Sequence, residues 1–261
     1  MKLGICMKMD SLWSQYPILT DFVELRGEAI SGLTKEDYNI LKKAVNEGKI
    51  RTYSANALVK DQILVGPEVD FGKLKEYIES LFYKLAELNI SMIVFGSGKV
   101  KNVPEGFPRE KAWEQLFEFG HILSSEAEKY GQMIAVEPLA TRETNILNTV
   151  EEAAYYIKNV NRKNFKYLVD FFHFDYNNYD YRSIEKYADD LVHVHFASQE
   201  VRKLPVTHED WRFVEMWLTL LKRIGYKGEI TYEGGIQPSE ELNKMFIKFR
   251  EIERKVEGIL C

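Results

Sequence analysis

Residues 132–137, QMIAVE, and 165–171, FKYLVDF, are two short apolar runs, and each carries a carboxylate at its exit, Glu137 and Asp170. Between them Thr149-Val-Glu-Glu152 has the form of a capping box and opens a helix to about Val160. Strand, helix, strand is the unit from which parallel sheets are built. A histidine, His173, follows Asp170 by three positions.

The same alternation extends in both directions. LGICM (3–7), DFVELR (21–26), IRTYSANALV (50–59) and ISMIVFGSG (90–98) read as four earlier strands. LVHVHF (191–196) and GEITYE (228–233) read as two later ones, exiting at His195 and Glu233. Helices are predicted from Thr34 to about Asn46, from Asp70 to about Leu88, from Arg109 to Tyr130 and from Thr149 to Val160. Further helices are predicted over Tyr181–Asp190, Trp211–Ile224 and from Ser239. In the helix from Asp70, Leu74, Ile78, Leu81, Phe82 and Leu85 recur at spacings of three and four. The stretch to about residue 20, with Trp13, Tyr16 and Pro17, is too short and irregular to assign.

Eight strands, most followed by a helix, imply an α/β chain folded as one (β/α)8 TIM barrel domain over 1–261. The strands are continuous apolar runs, as both-face burial requires. An open doubly wound sheet would need a glycine-rich first turn, and no G-x-G-x-x-G follows an early strand.

Net charge is −5, which gives no general attraction to nucleic acid or anionic membrane. No run approaches the ~18 apolar residues of a membrane span. MKLGICMKMD lacks the apolar core of a secretory signal, so a cytoplasmic protein is expected. Cys6 and Cys261 stand at opposite ends, which suits two reduced thiols better than a disulfide framework.

In a barrel of this kind, groups at the C-terminal ends of strands point into the mouth. Taken singly, a carboxylate at a strand end is often a cap, and a histidine on an apolar strand is often a bonded core residue. Glu137, Asp170, His195 and Glu233 occur together on strands five to eight. Buried carboxylates side by side are costly unless something cationic is shared between them. The set suits one divalent ion, with Mn, Mg, Co and Zn all compatible. His193 shares a face with His195 one layer deeper, as a supporting or core residue.

The chain resembles the xylose-isomerase-like barrel superfamily, in its sugar-phosphate isomerase/epimerase branch, and is similar to the ketose 3-epimerases. The pieces that carry the likeness are VFGSGKVKNVPEGF (94–107), EPLATRETNILNT (137–149), LVDFFHFD (168–175), HVHFASQEVRKLP (193–205) and GYKGEITYE (225–233). The resemblance implies metal ligands at Glu137, Asp170, His195 and Glu233, and substrate contacts at Glu143, His173 and Arg202. The pattern departs at Ala140, at Phe196-Ala197-Ser198, and by a one-residue shift at Arg202, which leaves the sugar open. The implied reaction moves a proton at the carbon beside a carbonyl, through an enediolate, with Glu137 and Glu233 as the two catalytic groups. The implied partners are a small sugar or sugar phosphate and, as in the family, a second or further copy in a dimer or tetramer.

A dehydratase of the same fold, similar to inosose dehydratase, would share the proton abstraction. An abasic-site endonuclease would need further His and Asp ligands that strands three and four, ending near Asn56 and in Gly96-Ser97-Gly98, do not supply. A silent sugar-binding barrel has no need of the full ligand set. Among softer candidates, Glu24 is a barrel-interior partner for a base or arginine, and Asn56 and Ser97 line the pocket or cap loops. Lys99 and Lys101 are candidates for a phosphate contact or for plain exposure. Trp13 and Phe95 offer an apolar wall or core packing. His208 either approaches the site or begins its helix, and His121 is structural.

Overall fold

Eight parallel strands pair in chain order and close, the first hydrogen-bonding to the last. The computed structural model describes residues 1–15, 18–198 and 201–259; Tyr16, Pro17 and Cys261 lie outside them. The first half runs β1 (Leu3–Cys6), α1 (Met9–Gln15), β2 (Phe22–Arg26), α2 (Gly27–Ser31), α3 (Lys35–Asn46), β3 (Thr52–Asn56), α4 (Phe71–Glu87), β4 (Met92–Phe95) and α5 (Arg109–Lys129). The second runs β5 (Met133–Val136), α6 (Val150–Val160), β6 (Phe165–Asp170), α7 (Phe171–Tyr176), α8 (Arg182–Lys186), β7 (Leu191–Phe196), α9 (His208–Arg223), β8 (Glu229–Tyr232) and α10 (Ser239–Ile259).

The helix starts follow side-chain chemistry. Thr34, Asp70 and Thr149 each accept from the backbone N–H three residues on, satisfying donors that the first helical turn leaves free. Thr207 and Asp210 form a reciprocal capping box, so α9 begins at His208, three residues before the predicted start. The unassigned stretch after β1 holds a true helix, α1. The predicted 181–190 helix is split into α8 and a 3-10 turn at Ala188–Asp190.

Two apolar regions flank the sheet. The larger lies between strands and helices, and its best-ordered contact is Trp217 of α9 stacked on Phe171 at 3.9 Å and 9°. Phe95 packs edge-on against Phe119 and Tyr156 in this shell, so it is core rather than a sugar-facing wall. Trp13 is half exposed. The smaller region is the barrel interior, where Met92, Val94, Ala135 and Leu168 cluster. Above it comes a polar layer, Glu24, Ser54, His193 and Thr231, all fully buried.

Helices α5 and α6 meet at Gly120, where a Cβ would lie 2.5 Å from Val160 Cγ2 and 2.9 Å from Tyr156 Cε2. Gly120→Ala gains up to about 1 kcal/mol of helix propensity. Overpacking of this kind costs about 1–3 kcal/mol, and here the obstructing atoms are themselves core. A net loss of about 1–2 kcal/mol is expected, read from the midpoint of urea unfolding.

Candidate metal centre

Glu137 and Glu233 sit one residue beyond β5 and β8, while Asp170 and His195 lie within β6 and β7. The barrel register levels them. Asp170 pairs with His195, the Glu137 amide donates to the Phe95 carbonyl at 2.9 Å, and the Glu233 amide to Phe196 at 3.0 Å. One donor atom from each of the four residues falls within 4.8 Å of every other.

Each side chain is held from behind. Asp170 Oδ1 accepts from the Phe172 amide at 2.9 Å, starting α7 and turning Oδ2 to the mouth, where Arg202 Nη2 meets it. Asn56 Nδ2 donates to Glu233 Oε1 at 2.8 Å. Glu137 Oε2 lies against Gly96, where a Cβ would be only 2.3 Å away and would push the carboxylate aside. Its Oε1 is buried without a hydrogen-bond partner, and neither ring nitrogen of His195 makes an aligned hydrogen bond. An unpartnered buried carboxylate oxygen facing an imidazole among further carboxylates is what a cation-binding cluster presents. The donor set, three carboxylates and an imidazole, fits a divalent ion of intermediate hardness.

Beneath this layer Glu24 orders the histidines. It accepts from Ser54 Oγ at 2.5 Å, and His193 Nε2 lies 3.0 Å from its Oε2. His195 Nε2 stands 3.0 Å from Glu24 Oε1, and its Nδ1 faces Glu233 Oε2 at 2.9 Å and Glu137 Oε1 at 3.5 Å. Burial pushes the Glu24 carboxyl up, but the charge of His195 and the hydrogen bond from His193 hold it well below the usual range. The sequence places Glu24 in the interior as a partner for a base or an arginine, and the groups that meet it are two histidines. Cys6, Glu24 and His195 also cluster. Because Glu24 already occupies the Nε2 side of His195, this second group reads as a support that fixes the ring, not as another ion site.

Glu143, His173 and Arg202 line up beside the four donors. His173 is buried, with Nδ1 3.6 Å from Glu143 Oε1 and Nε2 3.2 Å from Arg202 Nη1. Arg202 Nη2 donates to Asp170 Oδ2 at 2.6 Å and also to Glu233 Oε2. Its backbone is left-handed, φ 49°, pinned by Nε on the Glu233 carbonyl at 3.0 Å and by the Gly235 amide on its own carbonyl at 3.0 Å. Burial pushes the Glu233 carboxyl up, and Arg202 and His195 overcome this and hold it at about 2. The same carboxylates, Glu233 and Asp170, raise the Arg202 guanidinium against its burial.

A cavity of about 500 Å³ opens beside Glu233 and Arg202, lined also by Cys6, Lys8, Ser11 and Arg26. A larger groove, about 630 Å³, lies on the outer ring between Arg212, Trp217 and Lys255 and touches none of the four donors. His208 lines that outer groove and begins α9. His121 is exposed on α5. Ser97 Oγ accepts from the Val59 amide, which braces a loop. Lys101, read as a phosphate contact or as plainly exposed, is fully buried.

The family described as xylose isomerase-like TIM barrel matches residues 33–247. The chain belongs to that family. Among solved members of this architecture, the 3-keto-D-glucoside 4-epimerase YcjR from E. coli superposes with a TM-score of 0.80 at 19% identity, over 96% of this chain and 99% of that one. A D-psicose 3-epimerase from Clostridium cellulolyticum H10, solved with D-tagatose, gives 0.71 at 20% identity, over 99% and 98%. The IolI protein, solved with a zinc atom, gives 0.67 at 18% identity, over 98% of each. At these identities the likeness is one of fold. No curated protein matches the chain. No helix among the described residues is long and apolar enough to cross a membrane.

Glu24→Gln keeps the shape of the side chain and removes its charge from His193 and His195. Loss of such an outer partner weakens metal affinity about 10–100-fold. Calorimetric titration with Mn is expected to show a fall in that range, with the circular dichroism spectrum unchanged.

Proposed function

We propose that the protein is a metal-dependent isomerase or epimerase acting on a small sugar or sugar phosphate. The observation that carries this reading is the convergence of Glu137, Asp170, His195 and Glu233 at one end of the barrel. The relatives' substrates, a 3-keto-glucoside and D-psicose or D-tagatose, support a sugar with a ketone.

The proton beside a ketone is weakly acidic, so its removal needs a base and a way to hold the resulting charge. A divalent ion bound by the four donors would supply Lewis acidity at the carbonyl oxygen. The chain supplies the rest. Glu137 and Glu233 enter from β5 and β8, three strands apart around the barrel, and so flank whatever lies between them. One glutamate, as carboxylate, takes the proton. The other returns a proton from the opposite face, which inverts the carbon, or delivers it to the neighbouring carbon, which exchanges ketose and aldose. Roles reverse with direction. His173, tied to Arg202 and facing Glu143, holds the sugar hydroxyls, and the 500 Å³ cavity receives the far end of the chain.

The test is a panel of ketoses and ketose phosphates with Mn in deuterated buffer, followed by NMR. The wild type is expected to wash out the proton next to the carbonyl and to form a new sugar. Glu137→Gln and Glu233→Gln should each lower that rate by about 10²–10⁴. Full exchange in either variant sinks the two-glutamate assignment, and a dehydrated product moves the reading to a dehydratase.

Metal removal gives an independent readout. At a free Mn concentration about 100 times its Kd, linkage stabilises the folded chain by about 2.7 kcal/mol. For a domain of this size that raises Tm by about 5–10 °C. Asp170→Asn is expected to abolish most of this shift in scanning calorimetry.

A further inference from the structure

Lys101 is the one lysine among the described residues that is completely buried. It closes the 3-10 turn Lys99–Lys101 after β4, and its side chain folds back so that the ammonium donates to the Gly96 carbonyl. The ammonium also lies 5.8 Å from the centre of the Phe95 ring. A fully buried cation is costly, and a lysine in an ordinary loop turns its amine to water.

The residues it fastens are those on which the glutamates rest. Gly96 is the surface against which Glu137 Oε2 packs, leaving no room for a side chain. Two residues on, a Cβ at Gly98 would lie 3.1 Å from the Glu143 carbonyl oxygen, so that strand exit also abuts the second acidic residue. The Lys101 amide returns to the Gly98 carbonyl at 3.2 Å, which closes the turn. Burial draws the Lys101 amine down to about 7, and Glu137 and Glu143 oppose that fall. The ammonium is thus within electrostatic reach of both.

We propose that Lys101 is a positioning residue for Glu137: its ammonium locks the Gly96-Ser97-Gly98 turn, and that turn sets where the Glu137 carboxylate lies. The activity arm of its test rests on the isomerase reading above; the metal arm does not.

The full-length protein and Mn serve as the probe. Lys101→Met keeps the apolar stem and removes the ammonium. Lys101→Arg keeps a cationic donor. Gly96→Ala leaves Lys101 in place and puts a methyl where Glu137 Oε2 now sits. Calorimetry should show Mn affinity about tenfold weaker in Lys101→Met and in Gly96→Ala, and within about threefold of wild type in Lys101→Arg. The Lys101→Met, Gly96→Ala double variant should be no weaker than its worse parent by more than about twofold, since both changes act through one carboxylate. On a ketose that exchanges, Lys101→Met should lower kcat about tenfold with KM within about twofold, the pattern of a lost transition-state contact.

Wild-type Mn affinity in folded Lys101→Met, or fully additive losses in the double variant, overturns the proposal. If Lys101→Met does not fold, wild-type affinity in Gly96→Ala overturns it equally. Absence of exchange in the wild type on every ketose defeats the isomerase reading and leaves the Mn comparison to decide on Lys101.

Discussion

Like charges gathered in a dry place govern this barrel. Glu24, Glu137 and Asp170 are buried, and Glu233 stands among them one-fifth exposed. Each carboxylate would be driven to protonate unless something positive or hydrogen-bonding met it. The chain answers with His193 and His195 for Glu24, and with Arg202 for Asp170 and Glu233. Glu137 retains an oxygen that no protein group satisfies. That oxygen and Nδ1 of His195, which faces it, define where a cation belongs.

Barrel closure makes the gathering possible. In a sheet of parallel strands every exit falls on the same edge, and alternation turns every second residue inward. Leu168 lies two below Asp170, His193 two below His195, and Thr231 two below Glu233. The interior therefore changes in layers, apolar at the bottom, a hydrogen-bonded belt around Glu24, then the four donors at the mouth. The belt is built from short side chains, Ser54 and Thr231, whose hydroxyls donate directly to Glu24.

Much of this could be read from residues alone, and the limits have physical causes. Strands ending in Glu137, Asp170, His195 and Glu233 are visible because period-two burial and strand exits are local patterns. The order of strands follows from β/α alternation. α7 escaped notice because its six residues, Phe171–Tyr176, are mostly aromatic and look like a continuing strand; only the Asp170 cap and the Trp217 stack turn them into a helix. Glu24 showed itself as interior, but its two histidine partners come from a strand far along the chain, a fact of closure rather than of spacing. Lys101 ran against its own chemistry. Nothing in KVK predicts burial, and the reason appears only when Gly96 and Glu137 are seen together.

The charges around the mouth also say something about the ion. Glu137, Asp170 and Glu233 bring three negative charges, His195 brings none when an ion takes its free nitrogen, and Arg202 brings one positive charge that is bonded directly to two of the three. A divalent cation offsets more of this negative charge, to which Glu24 beneath adds, than a monovalent one would, in a setting where uncompensated charge is expensive. Arg202 thus has a structural reason to be arginine: its fork can bond Asp170, Glu233 and His173 at once, and a lysine, with a point charge and no fixed fork, cannot span the same partners. The left-handed backbone at Arg202 is the strain that this reach entails, and the bonds from its Nε to the Glu233 carbonyl and from the Gly235 amide to its own carbonyl hold it there. Arg202 is consequently tied to the donors it bridges, Asp170 and Glu233.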